Sequence, residues 1–133
     1  MKLTDINGNS FPTTVTLNAN DAFEVFANDD NGPVSCMWQL QNSGGVLQVG
    51  KGSNATTVSR YGSAYFAAFG GTPAGSYLPI VTTGPATSVE VFSAPDDMLT
   101  GSSVISVLLT ATPTNGEAAR SLTVLIQNST RRF

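Results

Sequence analysis

Val34, Cys36, Trp38 and Leu40 alternate with Ser35, Met37, Gln39 and Gln41. This run constrains the chain more than any other. A pleated strand turns successive side chains to opposite faces, so a strict period of two marks a half-buried strand and rules out a helix. The same period recurs in Thr14-Val15-Thr16-Leu17, Phe23-Glu24-Val25-Phe26 and Ser88-Val89-Glu90-Val91-Phe92. It recurs again where Leu122, Val124 and Ile126 alternate with Thr123, Leu125 and Gln127.

Turn-forming clusters separate these runs. They are Asn28-Asp29-Asp30-Asn31-Gly32-Pro33, Asn42-Ser43-Gly44-Gly45, Gly70-Gly71-Thr72-Pro73 and Pro95-Asp96-Asp97. Gly supplies positive φ, Pro fixes φ, and Asn and Asp hydrogen-bond their own backbone. Short strands at such spacing predict an all-β domain: an antiparallel β-sandwich (jelly-roll or Ig-like) or a closed barrel. An immunoglobulin core pairs a Cys on one strand with a Trp on the next and a second, distant Cys. Here Cys36 and Trp38 share one strand and no second Cys exists.

The C-terminal third predicts a hairpin. Ser103 to Thr112 forms one arm, Pro113-Thr114-Asn115-Gly116 the turn, and Glu117 to Gln127 the return. Asn-Gly between apolar runs is a strong hairpin signal, because both residues tolerate positive φ. The run Val104 to Leu109 is apolar on both strand faces, so one face is expected to need a second cover. Residues 63–69 suit helix or strand by propensity, and the flanking Gly62 and Gly70 favour strand. Residues 23–30 faintly echo residues 89–97, a likeness common enough in strand-then-acidic-turn segments to arise by coincidence.

At 133 residues the chain is one domain. Residues 1–133 are read as a single β unit with irregular terminal arms at 1–12 and 128–133. A domain of this size needs no disulfide or metal staple. The lone Cys36 makes no internal bridge, which favours a reducing compartment. The N-terminus shows no apolar leader run, so synthesis in a host cytoplasm without a signal peptide is expected. No stretch approaches a membrane span. Six Lys and Arg against nine Asp and Glu, spread along the chain, build no phosphate-tracking stripe, so nucleic acid is not an expected partner.

The sequence is poor in chemistry. It has no His, which removes the usual base near neutral pH and the commonest metal ligand. Cys36 shares an apolar strand face with Val34 and Trp38, and a desolvated thiol stays inert. Asp29-Asp30 and Asp96-Asp97 read as solvated turn acids rather than as an acid/base pair. The segment from Asn28 to Gly32 lacks the ligand spacing and terminal Glu of a calcium loop. The glycine pairs match no phosphate-binding motif. No catalytic residue, cofactor or metal site is therefore expected, and the chain is read as a non-enzyme. Trp38, Tyr61, Tyr65 and Tyr77 are the residue types of a sugar-stacking platform, which keeps a carbohydrate-binding or adhesin module as an alternative; the apolar neighbours of Trp38 assign that residue to the core.

Only 11% of residues are charged, and Ser, Thr, Asn and Gly supply the polarity. Few charges then keep copies of the chain apart. Met1, Lys2, Leu3, Ile6 and Phe11 at one end, and Arg131, Arg132 and Phe133 at the other, combine apolar and cationic groups in segments without strand pattern. These are the candidate partner contacts.

A short chain with no His, little charge, β-runs such as Thr13 to Leu17 and a terminal hairpin resembles tailed-bacteriophage virion proteins, particularly the small head-decoration or cement proteins. The resemblance is one of overall style and carries no family motif. It implies a virion location, the major capsid protein or other virion proteins as partners, and a homo-oligomer, a trimer favoured. It implies a role in stabilising the head by bridging capsid subunits, with a tail or other virion subunit as the alternative.

Overall fold

The computed structural model describes residues 1–18, 21–41, 45–50, 56–57, 80–81, 84–93 and 104–127. The described strands are β1 (Lys2–Thr4), β2 (Thr14–Asn18), β3 (Ala22–Asp29), β4 (Gly32–Pro33), β5 (Cys36–Gln41), β6 (Gly45–Val49), β7 (Thr56–Thr57), β8 (Ile80–Val81), β9 (Ser88–Ser93), β10 (Val104–Pro113) and β11 (Arg120–Gln127). They form two sheets. The first runs β1-β3-β9-β6-β7, with β4 paired to β3, and the second runs β2-β11-β10-β5-β8. The architecture is the expected β-sandwich and not a closed barrel.

The period-two runs decide which side chains meet between the sheets. Val25, Ala27, Leu47, Val89 and Val91 point inward from the first sheet. Trp38, Leu40, Val107, Leu109, Ala111, Leu122, Val124 and Ile126 point inward from the second. Burying a large aliphatic side chain contributes about 1.5–3 kcal/mol, so this interleaved layer supplies most of the driving force. Trp38 is wholly buried, and its indole Nε1 donates to the Ala86 carbonyl at 2.9 Å. The expected core residues Val34, Cys36, Trp38, Leu40, Leu122, Val124 and Ile126 are all buried.

Among the described residues the strand pairing is antiparallel except at one place. β2 lies parallel to β11, with Val15 beside Val124 and Leu17 beside Ile126. The echoing segments prove to be neighbours: Val25 lies opposite Val89 and Glu24 opposite Glu90 across the β3–β9 ladder. Their likeness follows from one environment, since each turns valines inward and a Glu outward.

The C-terminal hairpin forms, but its turn is wider than the Asn-Gly signal predicts. Its last cross-strand pair is Ala111 with Arg120. Thr112 and Pro113 instead continue against Met37 and Cys36 of β5. Asn115 and Gly116 still shape the bend. Gly116 has φ of 92°, and Asn115 Oδ1 accepts the Glu117 N–H at 2.9 Å. β10 thus runs two residues further along β5 than along β11, and residues 114–119 span the bend. The predicted strand at 63–69, and the arm at 128–133, fall outside the described residues.

The arm expected at 1–12 is structured. Lys2, Leu3 and Thr4 pair with Asn28, Ala27 and Phe26 of β3. The chain then turns back, with a bridge between Thr4 and Ser10 and the Phe11 N–H donating to the Leu3 carbonyl at 3.1 Å. Three residues are too few to show a period, which is why the sequence gives no sign of this strand.

Candidate functional site

Two surfaces concentrate the chain's unusual features. The first is the end of the sandwich where β1 meets the β10–β11 loop. The Met1 ammonium donates to Glu117 Oε1 at 3.0 Å, and Arg120 Nε donates to the Met1 carbonyl at 3.0 Å. Asn115 Nδ2 donates to the other Glu117 oxygen at 2.7 Å. The ammonium bond, followed by that from Asn115, holds the Glu117 carboxyl down at about 2. Asn28, Asp29, Asp30 and Asn31 complete an open polar cleft of about 470 Å³ with Met1, Lys2, Glu117 and Arg120. Asp29 Oδ1 accepts the Asn31 N–H at 2.8 Å, which is the Asx turn expected of that segment.

This cleft offers little to a reaction. Its terminal ammonium and the Glu117 carboxylate pair with each other. Among the described residues no three His, Cys, Asp or Glu side chains come together as a metal site. Cys36 lies just beneath, fully buried, with its Sγ 3.4 Å from the Met1 Sδ and 3.7 Å from the Val34 carbonyl. Burial first, then the nearby Glu117 charge, pushes the thiol up to about 11, against the opposing pull of the terminal ammonium. At neutral pH it carries no thiolate to act as a nucleophile. Asp96 and Asp97 lie outside the described residues, so their meeting with Asp29 and Asp30 is not described.

The structure divides the sequence-predicted contact residues. Leu3 is buried at 8% exposure, and Met1 and Phe11 pack against the core. The Phe11 ring meets Phe23 edge-on at 5.6 Å. Leu3 belongs to the core, while Met1 and Phe11 are half-buried against it. Lys2 stays exposed, and Ile6 protrudes at 69% exposure. Its loop is fixed by Asp5 Oδ1, which accepts the N–H groups of Asn7 and Asn9, and by Gly8 at φ of 85°. Arg131, Arg132 and Phe133 lie outside the described residues. So do Tyr61, Tyr65 and Tyr77, while the buried Trp38 cannot serve as a sugar platform.

The second surface was only half legible in sequence. The five strands of the β2-β11-β10-β5-β8 sheet hold a single charged residue, Arg120. Arg120 shares its register position with the inward Ala111, at the end of the ladder, and is engaged with Met1. The outward positions are Thr14 and Thr16 on β2, and Ser121, Thr123 and Leu125 on β11. On β10 they are Ser106, Leu108, Thr110 and Thr112, and on β5 Met37, Gln39 and Gln41. Leu108 and Met37 are exposed by 37% and 36%. Thr110 and Ser121 join hydroxyls across the strands at 3.0 Å. The opposite sheet carries Lys2, Glu24 and Glu90 on its outer side.

No family model and no curated protein matches the chain. Among solved structures it is similar to the CooA pilin subunit of enterotoxigenic Escherichia coli, at 12% identity and a TM-score of 0.39 over 96% of this chain and 95% of that one. It is also similar to the periplasmic chaperone SfaE, at 10% identity and a TM-score of 0.34, covering 87% of this chain and 53% of that one. A chaperone–tip adhesion subunit complex of Acinetobacter baumannii Csu pili is similar at 13% identity and a TM-score of 0.35, over 89% of this chain and 50% of that one.

Proposed function

We propose that this β-sandwich is a non-enzymatic structural subunit that works by being built into a larger particle, and that the particle is a virus head which it decorates. The observation that carries the reading is the nearly charge-free sheet, with Leu108 and Met37 projecting among hydroxyl and amide groups. A face of this kind loses little on leaving water, because it holds no ion to desolvate. Its Thr, Ser and Gln side chains can exchange water for partner groups, as the polar rim of an interface does.

The mechanism is mechanical. A subunit that touches several shell proteins at once holds through many weak contacts, and simultaneous engagement makes release slow. Binding only the assembled shell stabilises that shell by mass action. The buried thiol of Cys36 and the Met1–Glu117 ion pair fit a molecule whose groups serve folding rather than turnover.

The test is co-sedimentation of the purified chain with phage heads stripped of decoration, combined with thermal melting of the heads. Saturable binding and a raised melting temperature are expected. Neither change, at chain concentrations in excess of shell sites, would remove the virion form of the reading.

A further inference from the structure

We propose that the outer face of the β2-β11-β10-β5-β8 sheet is a self-association surface, on which a second copy of this chain docks across a twofold axis passing near Leu108. The proposal rests on the structural-subunit reading and names one of its contacts. Its test is independent, because pairing in solution and attachment to a shell are measured separately.

Charge selects the occupant. The chain carries a net charge of −3, so two copies repel each other overall, and least where no carboxylate of one faces a carboxylate of the other. The first sheet turns Lys2, Glu24 and Glu90 outward, and the cleft beside β1 holds Asp29, Asp30 and Glu117. Among the described residues, the outer face of the second sheet is where two copies can meet with no ionised side chain against another. A strongly charged partner gains no ion pair and no steering there. An identical uncharged face fits it.

Geometry points to the same arrangement. β10 is the third of the five strands in this sheet, so Leu108 stands near the middle of the face. Leu108 lies between Gln41 of β5 and Thr123 of β11, and Leu125 projects diagonally from it, opposite Ser106. An isologous contact brings each patch onto its own copy, which places Leu108 and the half-buried Leu125 at the centre and the hydroxyl and amide groups around them. At about 4.8 Å between strands and 3.3 Å per residue, the 31 residues of the five strands span roughly 490 Å². Two copies then bury on the order of 1,000 Å², in the range of weak, transient complexes. The pair is therefore reversible. It is a twofold dimer, not the trimer that the phage resemblance implies, because a face that matches itself closes at two copies.

The test is sedimentation velocity on the intact chain and on Leu108→Lys and Leu108→Glu, from low micromolar to submillimolar concentration. The intact chain is expected to move from 13.8 kDa toward twice that mass. Each variant alone should associate at least about 10-fold more weakly, since like charges then meet at the axis. An equimolar mixture of the two variants should regain association, because Lys then faces Glu. A folding defect would not be cured by mixing, and circular dichroism of each variant verifies the fold. A monomeric intact chain, a variant that pairs as tightly as the parent, or a mixture that stays monomeric would each overturn the proposal.

Discussion

The ammonium group of Met1 lies 3.0 Å from the Glu117 carboxylate, and this contact ties β1 of one sheet to the β10–β11 loop of the other. The first residue of the chain thus closes one end of the sandwich. Arg120, donating to the Met1 carbonyl, fixes the same residue from a second side.

A pH dependence follows from that contact. Glu117 is held at about 2 in the folded chain against an ordinary 4.5. A depressed carboxyl contributes stability that is fully present above the unfolded value and is lost as pH falls through the folded one. The stability attributable to Glu117 should therefore decline between about pH 4.5 and pH 2. Chemical denaturation of Glu117→Gln across that window should show a flatter curve than the parent. Equal slopes would mean that the exposed pair is screened to nothing.

Residues 1–6 belong to the fold and are not a detachable anchor. Leu3 is in the core and Met1 packs on it. Leu3→Ala should cost about 2 kcal/mol, the low end for Leu truncation because the site lies at the sheet edge. Deleting residues 1–6 should cost more, since the β1–β3 ladder goes too. Urea melts would show both. An unchanged midpoint in the deletion would return this segment to the role of a free arm.

Trp38 is the largest fully buried side chain. Trp38→Ala should cost about 3–5 kcal/mol, combining a large cavity with an Ala86 carbonyl left without its indole donor. Trp38→Phe should recover much of the packing but not the hydrogen bond. Tryptophan fluorescence should be blue-shifted in the native chain and resist quenching by iodide. Ready quenching would place the ring in solvent.

How much of this was legible in sequence depended on run length. Val34 to Leu40, Ser88 to Phe92 and Leu122 to Ile126 have enough alternating residues to reveal both strand and inward face, and the structure buries the residues so marked. β1 and β4 are too short for any period, so the fate of Met1, Leu3 and Phe11 was hidden. The Asn-Gly turn was correctly placed, yet β10 runs past the end of its ladder with β11, and Thr112 and Pro113 pair with Met37 and Cys36 of β5. That pairing spans distant parts of the chain and leaves no local trace. The uncharged face was visible only as an apolar run at Val104 to Leu109. Its extent across β2, β11 and β5 needs the strand order, because Thr14, Thr123, Leu108 and Gln41 fall in one row only through the ladders.

Cys36 gives a sharp test of how the sandwich opens. Its thiol is wholly buried and held up at about 11 against an ordinary 9.0, with burial the main cause. A raised pKa means that the folded chain keeps the proton longer than the unfolded one. The associated stability is complete below about pH 9 and is lost as pH rises through about 11. Labelling with a disulfide reagent at pH 8 should therefore be slow and should follow the opening of the fold, not the ionisation of an exposed thiol. Adding urea below the unfolding midpoint should accelerate it in step with the fall in stability. Cys36→Ser should cost about 1–3 kcal/mol, because the hydroxyl enters an apolar site. It should leave particle attachment unchanged, since no part of Cys36 reaches the surface. Rapid labelling of the native chain in the absence of denaturant would show that the thiol is reachable and that the Met1 thioether does not cover it.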